Sequence, residues 1–404
     1  MYTSAGLVAG LLSLGLVGCT GTTPDPAPAG STAATTATTV TTATTAASSP
    51  ATSTGTSSGT STSVAPTPED VARDRVPEEQ RAKAASLMVV GVDNYDDALW
   101  KLQQGVGGIF ITSWANPELL TTPGRNIVAL REAVGRPFSV SIDYEGGRVQ
   151  RHEHVIGSWL SPRQMATQMT PQEVEKYATD LGNVLRWHGV TVDFAPVLDV
   201  DAHGLEVVGD RSFSTDPVQA GEYGAAFARG LAAARITPVF KHFPGHGQAS
   251  GDTHHQLAVT PPLEQVLAHD LPPYATALPQ VDGAVMVGHM VVPDLGDGRT
   301  PSSLDPAVYR LLRSGDYPGG RPFDGLTYTD DLTGMRAITD SHTLPQAVVA
   351  AVRAGADQPL FSSGGALVAA IDALDEAVTR GEIPTERLDE AAYRVQLQLL
   401  RTGA

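Results

Sequence analysis

The chain of 404 residues contains one cysteine, Cys19, so no disulfide can form within it. Basic residues are scarce. Lysine and arginine number 27 against 44 aspartates and glutamates, a formal charge of −17. Phosphate backbones and anionic headgroups repel such a chain, which argues against nucleic acid as a partner. No apolar run is long enough to span a bilayer. No glycine-rich phosphate loop stands between a strand and a helix, and no HExxH or cysteine pair offers a zinc site. Charge is almost missing from the first 68 residues, where Asp25 is the single ionisable acid or base.

That first stretch divides in two. Residues 6–18 form a short apolar run ending Leu16-Val17-Gly18-Cys19. A small residue before a cysteine at the end of such a run resembles a bacterial lipobox, which implies a signal peptide over 1–18 and lipidation of Cys19. The residues before the run carry no Lys or Arg, a departure from secretory signals. The other reading is a free cysteine in a hydrophobic leader. Residues 19–68, mostly Thr, Ser, Ala, Gly and Pro, bury too little apolar surface to offset the entropy of ordering and read as a disordered tether. The resulting expectation is an extracytoplasmic lipoprotein that meets the membrane through its anchor alone.

Residues 69–404 suffice for one α/β domain. Short apolar runs predict strands at 86–90, 108–112, 138–142, 191–195, 237–241, 284–287, 325–329 and 358–361. Several are apolar throughout, as strands buried on both faces are. Capping signals predict helices at 171–188, 217–233, 344–354, 367–380 and 386–401. Eight strands alternating with helices point to a (β/α)8 barrel of the TIM type, with a doubly wound open sheet as the competitor.

A barrel demands that its chemistry sit just beyond the strand C-termini, and the polar clusters fall there. Lys241-His242-Phe243-Pro244-Gly245-His246-Gly247 leads into Asp252-Thr253-His254-His255. Its glycines and proline disfavour a regular helix and favour a loop presenting polar groups. An aspartate two residues before a histidine can orient the imidazole as a general acid/base. A solvated polar loop and a zinc site are the competing readings of His246, Asp252, His254 and His255. Asp143-Tyr144-Glu145-Gly146-Gly147-Arg148-Val149-Gln150-Arg151 offers close backbone approach and two guanidinium groups, or else a turn with surface arginines. Thr329-Asp330-Asp331-Leu332 ends an apolar strand. Adjacent acids on extended chain point opposite ways, so one faces the barrel axis, unless either serves only as a helix cap.

With Asp193-Phe194-Ala195-Pro196-Val197-Leu198-Asp199-Val200 and Gly209-Asp210-Arg211-Ser212-Phe213, these clusters resemble glycoside hydrolase family 3. The match is to its single-domain, NagZ-type bacterial β-N-acetylglucosaminidases, in family order from about residue 81 to the C-terminus. The resemblance implies a retaining exo-acting enzyme that removes terminal β-linked N-acetylglucosamine from peptidoglycan fragments. It assigns Asp330 as nucleophile, His254 as acid/base and Asp252 as its orienting partner. Asp143, Arg151, Arg211, Lys241 and His242 hold the terminal sugar, with Asp199 and His289 near the pocket and Asp331 structural. It implies a monomer with neither cofactor nor metal, whose partner is a carbohydrate. Larger members carry a second α/β domain, for which this chain leaves no room after the eighth repeat. An inactive glycan-binding lipoprotein, a β-glucosidase and a phosphorylase are the alternatives.

Overall fold

The computed structural model describes residues 66–201 and 204–404. Cys19, the expected signal peptide and nearly all of the expected tether lie outside them. The described chain opens with a helix, Pro68–Asp74, capped by Thr67, so regular structure starts just ahead of residue 69. This helix packs on the C-terminal helix Thr385–Thr402, with Arg73 over the ring of Tyr393 at 5.1 Å.

Eight parallel strands form one sheet. They are β1 (Val89–Val92), β2 (Gly108–Ile111), β3 (Ser139–Ile142), β4 (Val192–Asp193), β5 (Thr237–Phe243), β6 (Ala284–Val287), β7 (Thr327–Thr329) and β8 (Leu360–Phe361). From β1 to β7 each strand pairs with the next in sequence, and β8 pairs with β1 through Val89–Leu360 and Val90–Phe361. A bridge between Tyr328 and Gln358 joins β7 to the start of β8, giving the closed order of a TIM-type barrel. All eight strands are buried along their length. That is why several of them read as unbroken apolar runs rather than alternating ones.

Helices cover the barrel and start where the caps place them. Pro171–Trp187 begins with a reciprocal capping box between Thr170 and Glu173. Pro217–Ala233 begins with Asp216 accepting from Val218 and Gln219. Helix Leu344–Ala354 has the expected bounds. The strand expected at 86–90 lies further on, because Ser86 completes the helix Gln80–Ser86 and bonds back to the Lys83 carbonyl. Inside the barrel, Phe194 meets Phe110 at 5.5 Å and Tyr328 at 5.3 Å. These rings come from non-neighbouring parts of the barrel wall, so they touch across its interior and fill it.

Candidate active site

The chain leaves β3 at Asp143 and folds into a small hairpin, Tyr144–Gly146 against Val149–Gln150. Gly146 and Gly147 make its turn with φ of 92° and 60°. A Cβ on Gly146 would stand 2.0 Å from the Leu160 carbonyl oxygen, so side chains are excluded there. The hairpin returns Arg151 to Asp143, donating to one carboxylate oxygen from Nε at 2.9 Å and Nη2 at 2.8 Å. Lys241 Nζ, from β5, lies 2.8 Å from Asp143 and 2.7 Å from Glu145. Arg211 closes the cluster with a two-pronged pair to Glu145 at 2.7 and 2.8 Å. Burial opposes the charge on both acids, yet the neighbouring cations prevail. Lys241 and Arg151 hold Asp143 well below the usual carboxylate range, and Arg211 with Lys241 holds Glu145 at about 2. Three cations face two carboxylates, which leaves donor capacity for the oxygens of a ligand.

His242 follows Lys241 and points Nδ1 at Asp199, 2.6 Å away. Asp199 also accepts the backbone N–H groups of His242 and His246. Although buried, its carboxyl is held low by the His242 and His246 imidazoles and by those bonds. The aspartate therefore fixes the ring with Nε2 as its free nitrogen.

Asp330 ends β7, where its backbone N–H bonds the Val287 carbonyl. Its side chain is buried beside the imidazoles of His242, His289 and His254. Burial works against ionisation there, but those rings and the Asp331 N–H outweigh it and keep the carboxyl below its ordinary value. Two residues of the loop after β5 supply the dyad. Asp252 Oδ1 accepts His254 Nδ1 at 2.7 Å and the His254 backbone N–H at 2.9 Å. The dyad loop is tied to the segment after Asp330, since Ala337 N–H donates to the Thr253 carbonyl at 3.2 Å. The Thr253 hydroxyl, buried, reaches Met335 Sδ at 3.6 Å.

One cavity of about 340 Å³ brings these groups together, a size suited to a small ligand. Asp143, Arg151, Arg211, Lys241, His242, His254 and Asp330 all line it. Asp252 and Asp199 stand behind the imidazoles they orient. His289 is buried, bonded to the Ser303 hydroxyl and the Asp331 carbonyl. Asp331 touches the cavity, but one of its oxygens holds the Thr333 N–H and hydroxyl and the Ser362 N–H, a clasp between the ends of β7 and β8. Arg148 turns away from the site, to Asp210 and to the carbonyls of Glu206, Val207 and Val208. Among the described residues, no three His, Cys, Asp or Glu side chains converge as a metal site.

The sequence reading passed over Glu145 as a partner for the cations, and over Trp114, Thr253 and Met335 in the wall. Glu145 had a signal, lying two residues past Asp143, the spacing that puts side chains on one face of extended chain. The other three stand in loops whose course only the folded chain defines.

Residues 80–397 match the family model described as the N-terminal domain of glycosyl hydrolase family 3. Among curated proteins, the β-hexosaminidase LpqI of Mycobacterium tuberculosis is 43% identical over 318 residues, covering 78% of this chain and 81% of that one. A solved structure of a family 3 glycosyl hydrolase from Mycobacterium smegmatis aligns with a TM-score of 0.77 at 44% identity, covering 80% of this chain and 98% of its own. A family 3 β-N-acetylglucosaminidase from a Paenibacillus species aligns with a TM-score of 0.74 at 30% identity, covering 81% and 63%.

Proposed function

Because the chain belongs to glycoside hydrolase family 3 and is a glycoside hydrolase, we propose that it removes terminal β-linked N-acetylglucosamine with retention of configuration. One observation carries the reading: Asp330 and His254, the latter oriented by Asp252, line the same cavity as the Asp143–Lys241–Glu145 cluster. The names of the relatives, a β-hexosaminidase and a β-N-acetylglucosaminidase, support the choice of sugar.

In this mechanism Asp330, kept ionised by its neighbours, attacks the anomeric carbon. His254, protonated on Nε2 while Nδ1 holds Asp252, gives its proton to the departing oxygen. A glycosyl–Asp330 ester forms. Water then loses its proton to His254 and displaces the carboxylate, restoring both groups. Asp143, Arg151, Arg211, Lys241 and His242 grip the hydroxyls of the terminal sugar. Most retaining enzymes use two carboxyl groups. An imidazole with a carboxylate partner suits the same double duty, because one ring nitrogen can give and then take the proton while the other stays held.

The natural substrate in this reading is a peptidoglycan fragment of the N-acetylglucosaminyl–N-acetylmuramic acid type, cleaved outside the cytoplasm by a lipoprotein held through Cys19. The apolar run before Cys19 and the Thr/Ser-rich stretch after it, whose single charge is Asp25, support that location. Hydrolysis of aryl β-N-acetylglucosaminide against aryl β-glucoside tests the sugar, and a preference for glucose would overturn it. Palmitate labelling lost in C19S tests the anchor. Equal labelling of both proteins would remove it.

A further inference from the structure

The cavity wall includes a large aromatic side chain that the mechanism does not use. Trp114 follows β2 and is 58% exposed, yet it lines the same cavity as Asp330 and His254. Its polar end is already satisfied, since the indole N–H donates to Asp93 Oδ1 at 3.0 Å. Asp93 is itself held. Its backbone N–H donates to Asp97 at 2.9 Å and its carbonyl accepts the Asn116 N–H at 2.6 Å. At the base of the loop the Thr112 hydroxyl bonds the Val92 carbonyl, and the Thr112 carbonyl accepts the His152 ring. The ends of β1 and β2 are thus tied together around one indole. Its N–H is engaged, and more than half of the residue's surface remains exposed.

A single exposed ring needs no occupant by itself, and Trp187 is more exposed still; Trp114 stands apart because it lines the cavity that holds Asp330 and His254. Position names the occupant. The charged cluster and Asp330 are buried, so the terminal sugar sits deep. A pocket that takes a chain end leaves the rest of the chain to emerge through the mouth, where the exposed ring stands. Pyranose rings offer axial C–H groups that pack on an aromatic face, and a rigid tryptophan loses little entropy in receiving them.

We propose that Trp114, fixed by Asp93, is the platform for the sugar on the leaving-group side of the scissile bond, and that it recognises a second pyranose by its face. This rests on the glycosidase reading. The platform selects for a sugar leaving group over a small alcohol and adds nothing to the grip on the terminal residue.

The test compares β-N-acetylglucosaminyl-1,4-N-acetylglucosamine with methyl β-N-acetylglucosaminide, two poor leaving groups that differ by one ring. W114A should lose roughly tenfold or more in kcat/KM on the disaccharide and change little on the methyl glycoside, whereas W114F keeps most of both rates. D93A, which frees the indole, should show a smaller loss on the disaccharide alone. A W114A protein whose disaccharide-to-methyl ratio stays within about twofold of the parent overturns the proposal. Binding gives a second arm independent of turnover. D330N should bind the disaccharide more tightly than free N-acetylglucosamine by calorimetry, and W114A in that background should erase the difference. Persistence of the difference refutes the platform even if the enzyme is active. A parent protein that cleaves neither glycoside but shows the Trp114-dependent binding fails the hydrolase mechanism and keeps the platform.

Discussion

His254 Nδ1 stands 2.7 Å from Asp252 Oδ1, and the same oxygen accepts the His254 backbone N–H. One carboxylate oxygen therefore sets both the loop turn and the ring, and the ring's other nitrogen is left for a substrate. Half of the imidazole is exposed, so the pair works at the open side of the cavity. General acid/base catalysis is worth about 10²–10⁴-fold. H254A should lose that much on a disaccharide, whose leaving group needs a proton, and much less on an aryl glycoside with an acidic phenol. Equal losses on the two, measured as kcat, would show that His254 serves folding or binding instead.

Asp330 differs from the dyad in being buried and ringed by imidazoles. Its carboxyl is held below its ordinary value, so the proposed nucleophile stays charged at neutral pH. D330A should lose nearly all turnover. In the parent protein a 2-fluoro glycosyl fluoride should leave a mass increment on the peptide carrying Asp330. An increment on another peptide, or none together with undiminished D330A activity, moves the nucleophile elsewhere.

Glu145 and Arg211 show where the sequence alone ran out. The strands, most helix ends and the positions of the acids and histidines were legible, because double-sided burial, capping and strand-end placement leave local marks. Strand 86–90 was misplaced since Ser86 satisfies its hydroxyl within the preceding turn, a choice no apolar pattern encodes. The partner of Glu145 lies 66 positions away and is fixed by the barrel closing, not by neighbours in the chain. Trp114 is likewise ambiguous as a sequence letter. Its hydrogen bond to Asp93 and its place in the cavity wall beside Asp330 and His254 mark it as part of a site.

That buried Glu145 leads to a third expectation. It carries no exposed side-chain surface and neutralises Arg211 and Lys241 together. E145A leaves two cations with too few partners, a change that costs about 3–5 kcal/mol when a buried pair is broken. Lys241 would also be free to shift toward Asp143 alone. E145A should raise KM for the terminal sugar and lower the unfolding midpoint, whereas E145Q keeps the shape but not the charge and falls between. A stable E145A enzyme with unchanged KM would show that the Arg211 and Lys241 positions are set by other contacts.

The last expectation concerns the barrel's closure, away from the chemistry. Asp357, just before β8, is fully buried and accepts from Arg313 at 2.7 Å, Arg394 at 3.3 Å, Arg387, and the Thr327 N–H and hydroxyl at 2.9 and 3.0 Å. Burial alone would raise its carboxyl pKa, but the three guanidinium groups bring it to about 2, against 3.8 for the ordinary side chain. A folded-state value below the unfolded one means that the folded protein holds fewer protons between the two. The stabilisation is therefore complete above about pH 4 and fades as the pH falls toward about 2. D357N should be strongly destabilised at pH 7, and its deficit relative to the parent should narrow as the pH is lowered through that window. Denaturant unfolding of both proteins at pH 7, 4 and 3 measures this directly. A deficit that stays constant with pH would mean that Asp357 contributes through shape and hydrogen bonds rather than through its charge.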